Sequence, residues 1–167
     1  MVVLSLLLAG PAWALQTTRS GPLLELAAGG GVAGARATGT GQLTMGWWRG
    51  RYDDEYALGR FSALLLTTRA DLGRDALRVA PMLEARRSVD LFVVAPWIGL
   101  SAGPLVVQDE VGVSMRAAGG LKFRRSRTLG FTGRLSAGAD VLAGRVTPAV
   151  HLTIGVGWST PARRAQP

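Results

Sequence analysis

Apolar residues recur at every second position through the last third of this chain, a period that no helix produces. From Glu110 to Phe123 one set reads Val111, Val113, Met115, Ala117, Gly119, Leu121 and Phe123, while the set between them reads Glu110, Gly112, Ser114, Arg116, Ala118, Gly120 and Lys122. The next segment sets Leu129, Phe131, Gly133, Leu135, Ala137, Ala139 and Val141 against Thr132, Arg134, Ser136, Gly138 and Asp140. The last sets Val146, Pro148, Val150, Leu152, Ile154, Val156 and Trp158 against Thr147, Ala149, His151, Thr153, Gly155 and Gly157. Successive side chains of a strand point to opposite faces, so each segment predicts a strand with one apolar face.

Five weaker segments precede these. Leu23 to Arg36 carries Leu24, Leu26, Ala28 and Val32 opposite Glu25, and Gly41 to Trp48 carries Leu43, Met45 and Trp47 opposite Gln42 and Thr44. Tyr56 to Thr68 predicts Phe61, Ala63 and Leu65 on the apolar face, opposite Arg60 and Ser62. Ala76 to Arg86 sets Leu77, Val79, Pro81 and Leu83 opposite Arg78, Glu84 and Arg86. In Asp90 to Ala102 the apolar face reads Leu91, Val93, Ala95 and Trp97, with Phe92 and Val94 blurring the other. The connections fall at Thr38–Thr40, Arg49–Glu55, Ala70–Asp75, Arg87–Val89, Gly103–Asp109, Arg124–Arg127 and Leu142–Arg145. Short joints of this kind suit antiparallel hairpins, and there is no alternation of strands with helices. The fold class predicted is all-β: an eight-stranded antiparallel up-and-down barrel over residues 15–158 with short connections.

The same segments are long enough for a membrane. A tilted transmembrane strand needs about 9–11 residues, and no other segment approaches the roughly 20 apolar residues of a spanning helix. A chain without such a helix can cross a bilayer only as a closed barrel. Two closures are open. A soluble lipocalin-like carrier turns its apolar face inward around an apolar ligand, whereas a transmembrane barrel turns it outward to lipid and fills its lumen with the polar face. The polar face here is mostly Gly, Ala, Ser and Thr with a few long charged residues. Only 18% of the chain is charged, against about 25% for soluble domains. A water-facing surface should be denser in charge. Small residues between a few long ones suit the narrow interior of an eight-stranded barrel. The transmembrane closure is therefore the one expected.

On that reading Glu25, Arg60, Arg78, Glu84, Arg86, Arg116, Arg134, Asp140 and His151 form a lumen charge network. Buried ions must be paired, because desolvation costs several kcal/mol per ion. Slipping a strand by one residue would put Arg116, Lys122, Arg134 and Asp140 into lipid, at about 2–4 kcal/mol for each basic side chain at the midplane. Trp47, Phe61, Phe123, Phe131 and Trp158 fall on the outward face near the ends of their strands, at the end of the barrel that carries both chain termini. They predict a lipid-facing aromatic girdle at one interface.

The uncharged opening, Met1 to Ala14, has an apolar run from Val2 to Leu8, a Gly10-Pro11 break and an Ala12-Trp13-Ala14 cleavage pattern. It reads as a secretory signal peptide without a positive n-region. Residues 159–167 read as a basic tail. Lys plus Arg is 19 against 11 acids, a net of +8, but the Arg residues are spread along the chain with no basic patch interleaved with aromatics. Nucleic acid is not an expected partner. With no Cys and one His, disulfides, thiolate sites and multi-histidine metal sites are excluded.

These features together resemble the small eight-stranded outer-membrane proteins of the OmpA/OmpX type, over nearly all of the mature length. The final strand, ending at Trp158, is similar to the C-terminal signal read by the outer-membrane insertion machinery. The resemblance implies a monomer in the bacterial outer membrane of a Gram-negative envelope, porin-like in class. Its partners would be outer-membrane lipid and, during assembly, that insertion machinery. Nine residues follow Trp158, and the connections are short where the family has long extracellular loops.

Chemistry is sparse. A hairpin centred on Leu142–Arg145 puts Ser136 across from His151, with Arg116 across from Ser136 on the preceding strand. The resemblance includes lipid A-modifying barrel enzymes built on Ser and His, which makes such an enzyme the third reading. The acid available, Asp140, lies four residues from Ser136, about 13 Å by strand rise. A lumen histidine held by its neighbours is the simpler account, and no catalytic residue is expected. Gly29-Gly30-Gly31 with Gly34 lacks the lysine and helix of a phosphate loop. Asp53-Asp54-Glu55 reads as a solvated turn rather than a cation site. No cofactor or metal is expected.

Overall fold

Each of eight strands is hydrogen-bonded to the next in sequence order, and the last closes on the first. The strands are β1 (Gln16–Ala33), β2 (Arg36–Asp53), β3 (Leu58–Leu72), β4 (Leu77–Asp90), β5 (Val94–Val107), β6 (Glu110–Arg124), β7 (Leu129–Leu142) and β8 (Arg145–Ser159). A computed structural model describes residues 16–53, 58–73, 76–91, 93–125 and 128–159. Residues 1–14, expected from the sequence to be a signal peptide, and residues 160–167 of the expected basic tail lie outside the described residues. All pairings are antiparallel, including that of β1 with β8, where Leu24 faces Trp158 and Ala33 faces Ala149. The architecture is the predicted all-β, closed, up-and-down barrel. We call the end where β1 begins and β8 finishes the near end, and the opposite one the far end.

The joints are tighter than the sequence suggests, because several polar stretches belong to strands. Thr38–Thr40 lies inside β2, and the first turn is Gly34-Ala35. Gly34 has a φ of 63°, the left-handed conformation a two-residue hairpin needs. Thr38 and Thr40 are instead buried on the inner face. Arg49 to Arg51, Ala70 to Leu72, Arg87 to Val89 and Gly103 to Val107 are likewise strand. The last hairpin turns through Ala143-Gly144, with φ of 47° and 76°. Alanine tolerates that region poorly, whereas Asn-Gly is the favoured pair for it. Ala143→Asn should therefore stabilise the barrel by about 0.5–1 kcal/mol, read from the midpoint of urea unfolding in detergent.

Two strands turn the opposite way from the one expected. In β3, Leu65 is 1% exposed and faces the interior, while Leu64 and Leu66 face out. Phe61 and Ala63 share the phase of Leu65, and Arg60 and Ser62 point outward and are exposed. Three consecutive leucines carry no alternation, so the face is set further along the strand. Thr67, Arg69 and Asp71 are in phase with Leu65, and all three are buried in the lumen. The opposite choice would place Arg69 and Asp71 against the apolar exterior, where a basic side chain at mid-height costs about 2–4 kcal/mol. In β5, Ala95 and Trp97 point inward, and Ile98 and Leu100 point out. Asp90 ends β4 and Leu91 bridges back to Val94, where β5 begins, so no single alternation spans Asp90 to Ala102. The other strands present the faces their sequence predicts.

Candidate functional site

The barrel's interior is where its charged chemistry collects. Glu25, Glu84, Arg86, Arg116, Arg134, Asp140 and His151 are all buried there, and Arg78 is half-buried. Arg60 is the exception among the predicted lumen residues, because β3 turns it outward. Three lumen ions were not predicted. Arg69 and Asp71 lay past the stretch of β3 whose faces the sequence resolved, and Asp90 sat at a strand boundary. For Arg69 and Asp71, the in-phase spacing with Thr67 was the available signal.

Most of the ions form two clusters, and Asp90 pairs separately with Arg124 at the near end. In the half nearer the chain ends, Arg86 Nη1 donates to Glu25 Oε2 at 2.7 Å and Arg86 Nε donates to Glu84 Oε1 at 2.9 Å. Arg134 Nη1 donates to Glu84 Oε2 at 2.8 Å, and the Thr67 hydroxyl donates to the same oxygen at 2.9 Å. Trp97 enters this cluster as a platform. The Arg86 guanidinium lies over its ring at 4.0 Å and that of Arg134 lies 5.3 Å from its centroid. Such contacts stabilise by about 2 kcal/mol when desolvated, which is why a tryptophan belongs on the inner face of β5. In the far half, Asp140 pairs with Arg116 and accepts from the Ser114 hydroxyl at 2.8 Å. Arg69 approaches Asp140 at 3.5 Å and pairs with Asp71 at 2.8 Å. Arg78 completes the set, 3.7 Å from Asp140.

Glycines on the inner face give these side chains their room. A Cβ at Gly120 would lie 2.7 Å from the Trp97 ring and 2.2 Å from the Gly133 carbonyl oxygen. A Cβ at Gly138 would lie 2.9 Å from the Arg116 side chain and 2.0 Å from the Met115 carbonyl oxygen. Backbone contacts of that kind cannot relax by a rotamer change. Gly120→Ala should destabilise the barrel by about 1–3 kcal/mol, the usual range for overpacking; thermal unfolding followed by gel shift measures it.

His151 stands across from Ser136, as the hairpin predicts. On β6, however, Ala118 rather than Arg116 faces Ser136, and Arg116 faces Gly138, a displacement of two residues. The imidazole's neighbours are Thr38, whose hydroxyl is 3.4 Å from Nε2, and Asp71, 3.6 Å away. An acid therefore does reach the histidine, from β3. The site is closed nevertheless, since His151 is buried among charged and polar neighbours. Gly29–Gly31 lies within β1, so it is not a loop, and a Cβ at Gly29 would lie 2.0 Å from the Leu152 carbonyl oxygen. Among the described residues no group of three His, Asp or Glu is placed to hold a metal; Asp54 and Glu55 lie outside them.

The exterior is the inverse of the lumen. Leu135, Leu152, Ile154 and Val156 are all exposed, as are Leu26, the register partner of Val156 on β1, and Leu64, Leu83 and Leu100 on β3 to β5. Trp47, Phe123, Phe131 and Trp158 are outward and exposed near the chain-end rim. Phe123 and Phe131 are register partners, and Trp158 sits across from Leu129. Phe61 does not join them. It points inward and meets Trp48 edge-on, with centroids 5.2 Å apart, in space left by Gly50 across the ladder.

No protein-family model matches the chain, and comparison with curated proteins finds no match. Solved structures do match. Neisserial surface protein A aligns over 83% of this chain and 96% of its own, at 8% identity and a TM-score of 0.53. Ail, the attachment invasion locus protein of Yersinia pestis, aligns over 86% of this chain and 99% of its own, at 14% identity and a TM-score of 0.46. A de novo designed transmembrane β-barrel aligns over 84% and 95%, at 13% identity and a TM-score of 0.48. At the level of fold class, the chain is similar to the small eight-stranded outer-membrane barrels.

Proposed function

We propose that this chain is an integral outer-membrane β-barrel with a structural, envelope role and no catalytic activity. One observation carries the reading: the barrel is inside out relative to a soluble protein. Leu152 and Ile154 are 57% and 68% exposed, while Glu84 and Asp140 are 0% and 2% exposed. Exposed apolar patches on soluble monomers rarely exceed a few hundred Å², and here the outer wall is apolar on every strand. A carrier of apolar ligands would need the reverse arrangement.

The outward aromatics Trp47, Phe123, Phe131 and Trp158 form a girdle at one interface on this reading. The lumen is plugged by its own ion pairs. It is also wet: Trp97 Nε1, His151 Nδ1 and Thr153 Oγ1 are buried without a protein partner, and water is the partner such groups take. Export through Met1–Ala14 and assembly as a monomer by the outer-membrane insertion machinery complete the proposal.

The test is fractionation with a gel of heated and unheated samples. The protein should pellet with outer membranes, require detergent, and migrate differently before and after boiling. A freely soluble monomer would overturn the reading. In planar bilayers it should show no steady large conductance, and a stable open pore would overturn the plugged lumen. Lipid A profiles identical with and without His151→Ala are expected; a change would restore an enzyme.

A further inference from the structure

Four arginines decorate the outer wall at the near end, on three adjacent strands. Arg49 and Arg51 of β2, Arg60 of β3 and Arg87 of β4 are all exposed and alternate with inward residues. The register places them together. Ser20, Arg49, Ser62 and Arg87 form one row across β1 to β4, and Arg51 faces Arg60 in the adjoining row. Neighbouring strands are about 4.8 Å apart, so the backbones of Arg49 and Arg87 are about 10 Å apart, within reach of two guanidinium arms on a shared anion. Among the described residues Arg49, Arg51 and Arg87 make no ion pair.

Depth is fixed by what lies one step toward mid-barrel. The row Trp47, Leu64, Ala85 and Leu100 is apolar, and the wall changes from hydrocarbon-like to cationic in one ladder step. Arginine on a lipid-facing wall is tolerated only at the level of the headgroups. The rest of the near-end wall differs. On β6 to β8 it presents Phe123, Phe131 and Trp158, with Arg124, paired to Asp90, and Arg125 exposed only past them at the end of β6. The far rim mixes signs, with Arg36, Asp109, Glu110 and Arg145 exposed. Asp53, Asp54 and Glu55 also belong to the near end in sequence, so selectivity is assigned to the outward cluster and not to the net charge of that end.

Resting on the membrane reading above, we infer that Arg49, Arg51, Arg60 and Arg87 form a binding surface for the phosphodiester headgroup of an anionic phospholipid, with Ser20 and Ser62 as further donors. The patch is at the end that carries the first residues of β1 and the last of β8. Insertion moves short turns across a bilayer more easily than chain ends, so this end meets the leaflet on the side of assembly. In an outer membrane that leaflet is phospholipid. Trp47 sets the acyl boundary directly beneath.

The experiment is native mass spectrometry of the folded protein in detergent with an equimolar mixture of phosphatidylglycerol and phosphatidylcholine. Wild type should retain phosphatidylglycerol about tenfold over phosphatidylcholine, the scale expected for several arginines near an anionic headgroup. R49Q/R51Q/R60Q/R87Q should bring the ratio to within about twofold, whereas R36Q/R145Q at the far rim should leave it unchanged. If the quadruple variant lacks the heat-shifted band of a folded barrel, the pair R49Q/R87Q carries the same comparison. Equal retention of the two lipids by folded wild type, or an equal loss in the far-rim variant, overturns the inference alone. In a second, equimolar mixture of phosphatidylglycerol and lipid A, preference for lipid A overturns the phospholipid assignment. A wild type that neither inserts into vesicles nor shifts on heating overturns the membrane reading and this surface with it.

Discussion

Glu84→Ala should destabilise the folded barrel by about 3–5 kcal/mol, the cost of leaving buried partner charges uncompensated. Glu84 is fully buried and accepts from three groups on three strands: Thr67 of β3, Arg86 of β4 and Arg134 of β7. Without it, Arg134 loses its carboxylate partner, and Arg86 keeps only Glu25. Both guanidinium groups would still share the Trp97 face, now with their mutual repulsion unscreened. Glu84→Gln separates charge from shape, since it preserves the volume and one acceptor oxygen. It should fall between wild type and Glu84→Ala. Urea titration of the folded band on unheated gels measures all three. Equal stability of Glu84→Ala and wild type would mean that the lumen ions are solvated rather than paired.

Leu135→Arg should block assembly where Ser136→Arg does not. Leu135 is 56% exposed on the outer wall, across from Leu152 and Gly119 and well away from either rim. Arginine at the middle of the lipid-facing wall costs about 2–4 kcal/mol. That is a large part of the roughly 5–15 kcal/mol that holds a typical domain together. Ser136 is buried across from His151, so an arginine there meets packing rather than hydrocarbon. Its penalty is steric and is expressed in stability of the inserted form. Folding yield into phosphatidylcholine vesicles separates the two. Equal yields would reverse the assignment of faces.

How much of this was legible depends on how each strand signals its faces. In β6, β7 and β8 the charged or hydroxylated residues Ser114, Arg116, Arg134, Ser136, Asp140 and His151 share one phase, and no apolar run interrupts it. There the faces and the pairing of Ser136 with His151 follow from the chain alone. In β3 the run Leu64-Leu65-Leu66 erases the phase, and in β5 an inward tryptophan mimics a lipid-facing one. A residue that is greasy and large satisfies either side of a barrel wall. Only its neighbours across the lumen discriminate, as Arg86 and Arg134 do for Trp97. The displacement of Arg116 by two residues has a similar origin, because register across a connection accumulates from the turn, and the β6–β7 connection had no sequence signature to count from.

The sequence by itself determined the strand number, the closed antiparallel class and the outward turn of most apolar faces. Those follow from local rules: a two-residue period, the absence of a spanning helix, and the prohibitive energy of putting several charges into hydrocarbon. Tertiary structure decided which charges meet. Glu84 gathers donors from β3, β4 and β7, and Asp71 reaches His151 from the far side of the lumen. It also turned Arg60 out beside Arg51, creating a cationic row that no single strand encodes. Alternation tells each side chain which side of the wall it occupies, but who stands opposite is set by register and closure, which depend on all eight strands at once.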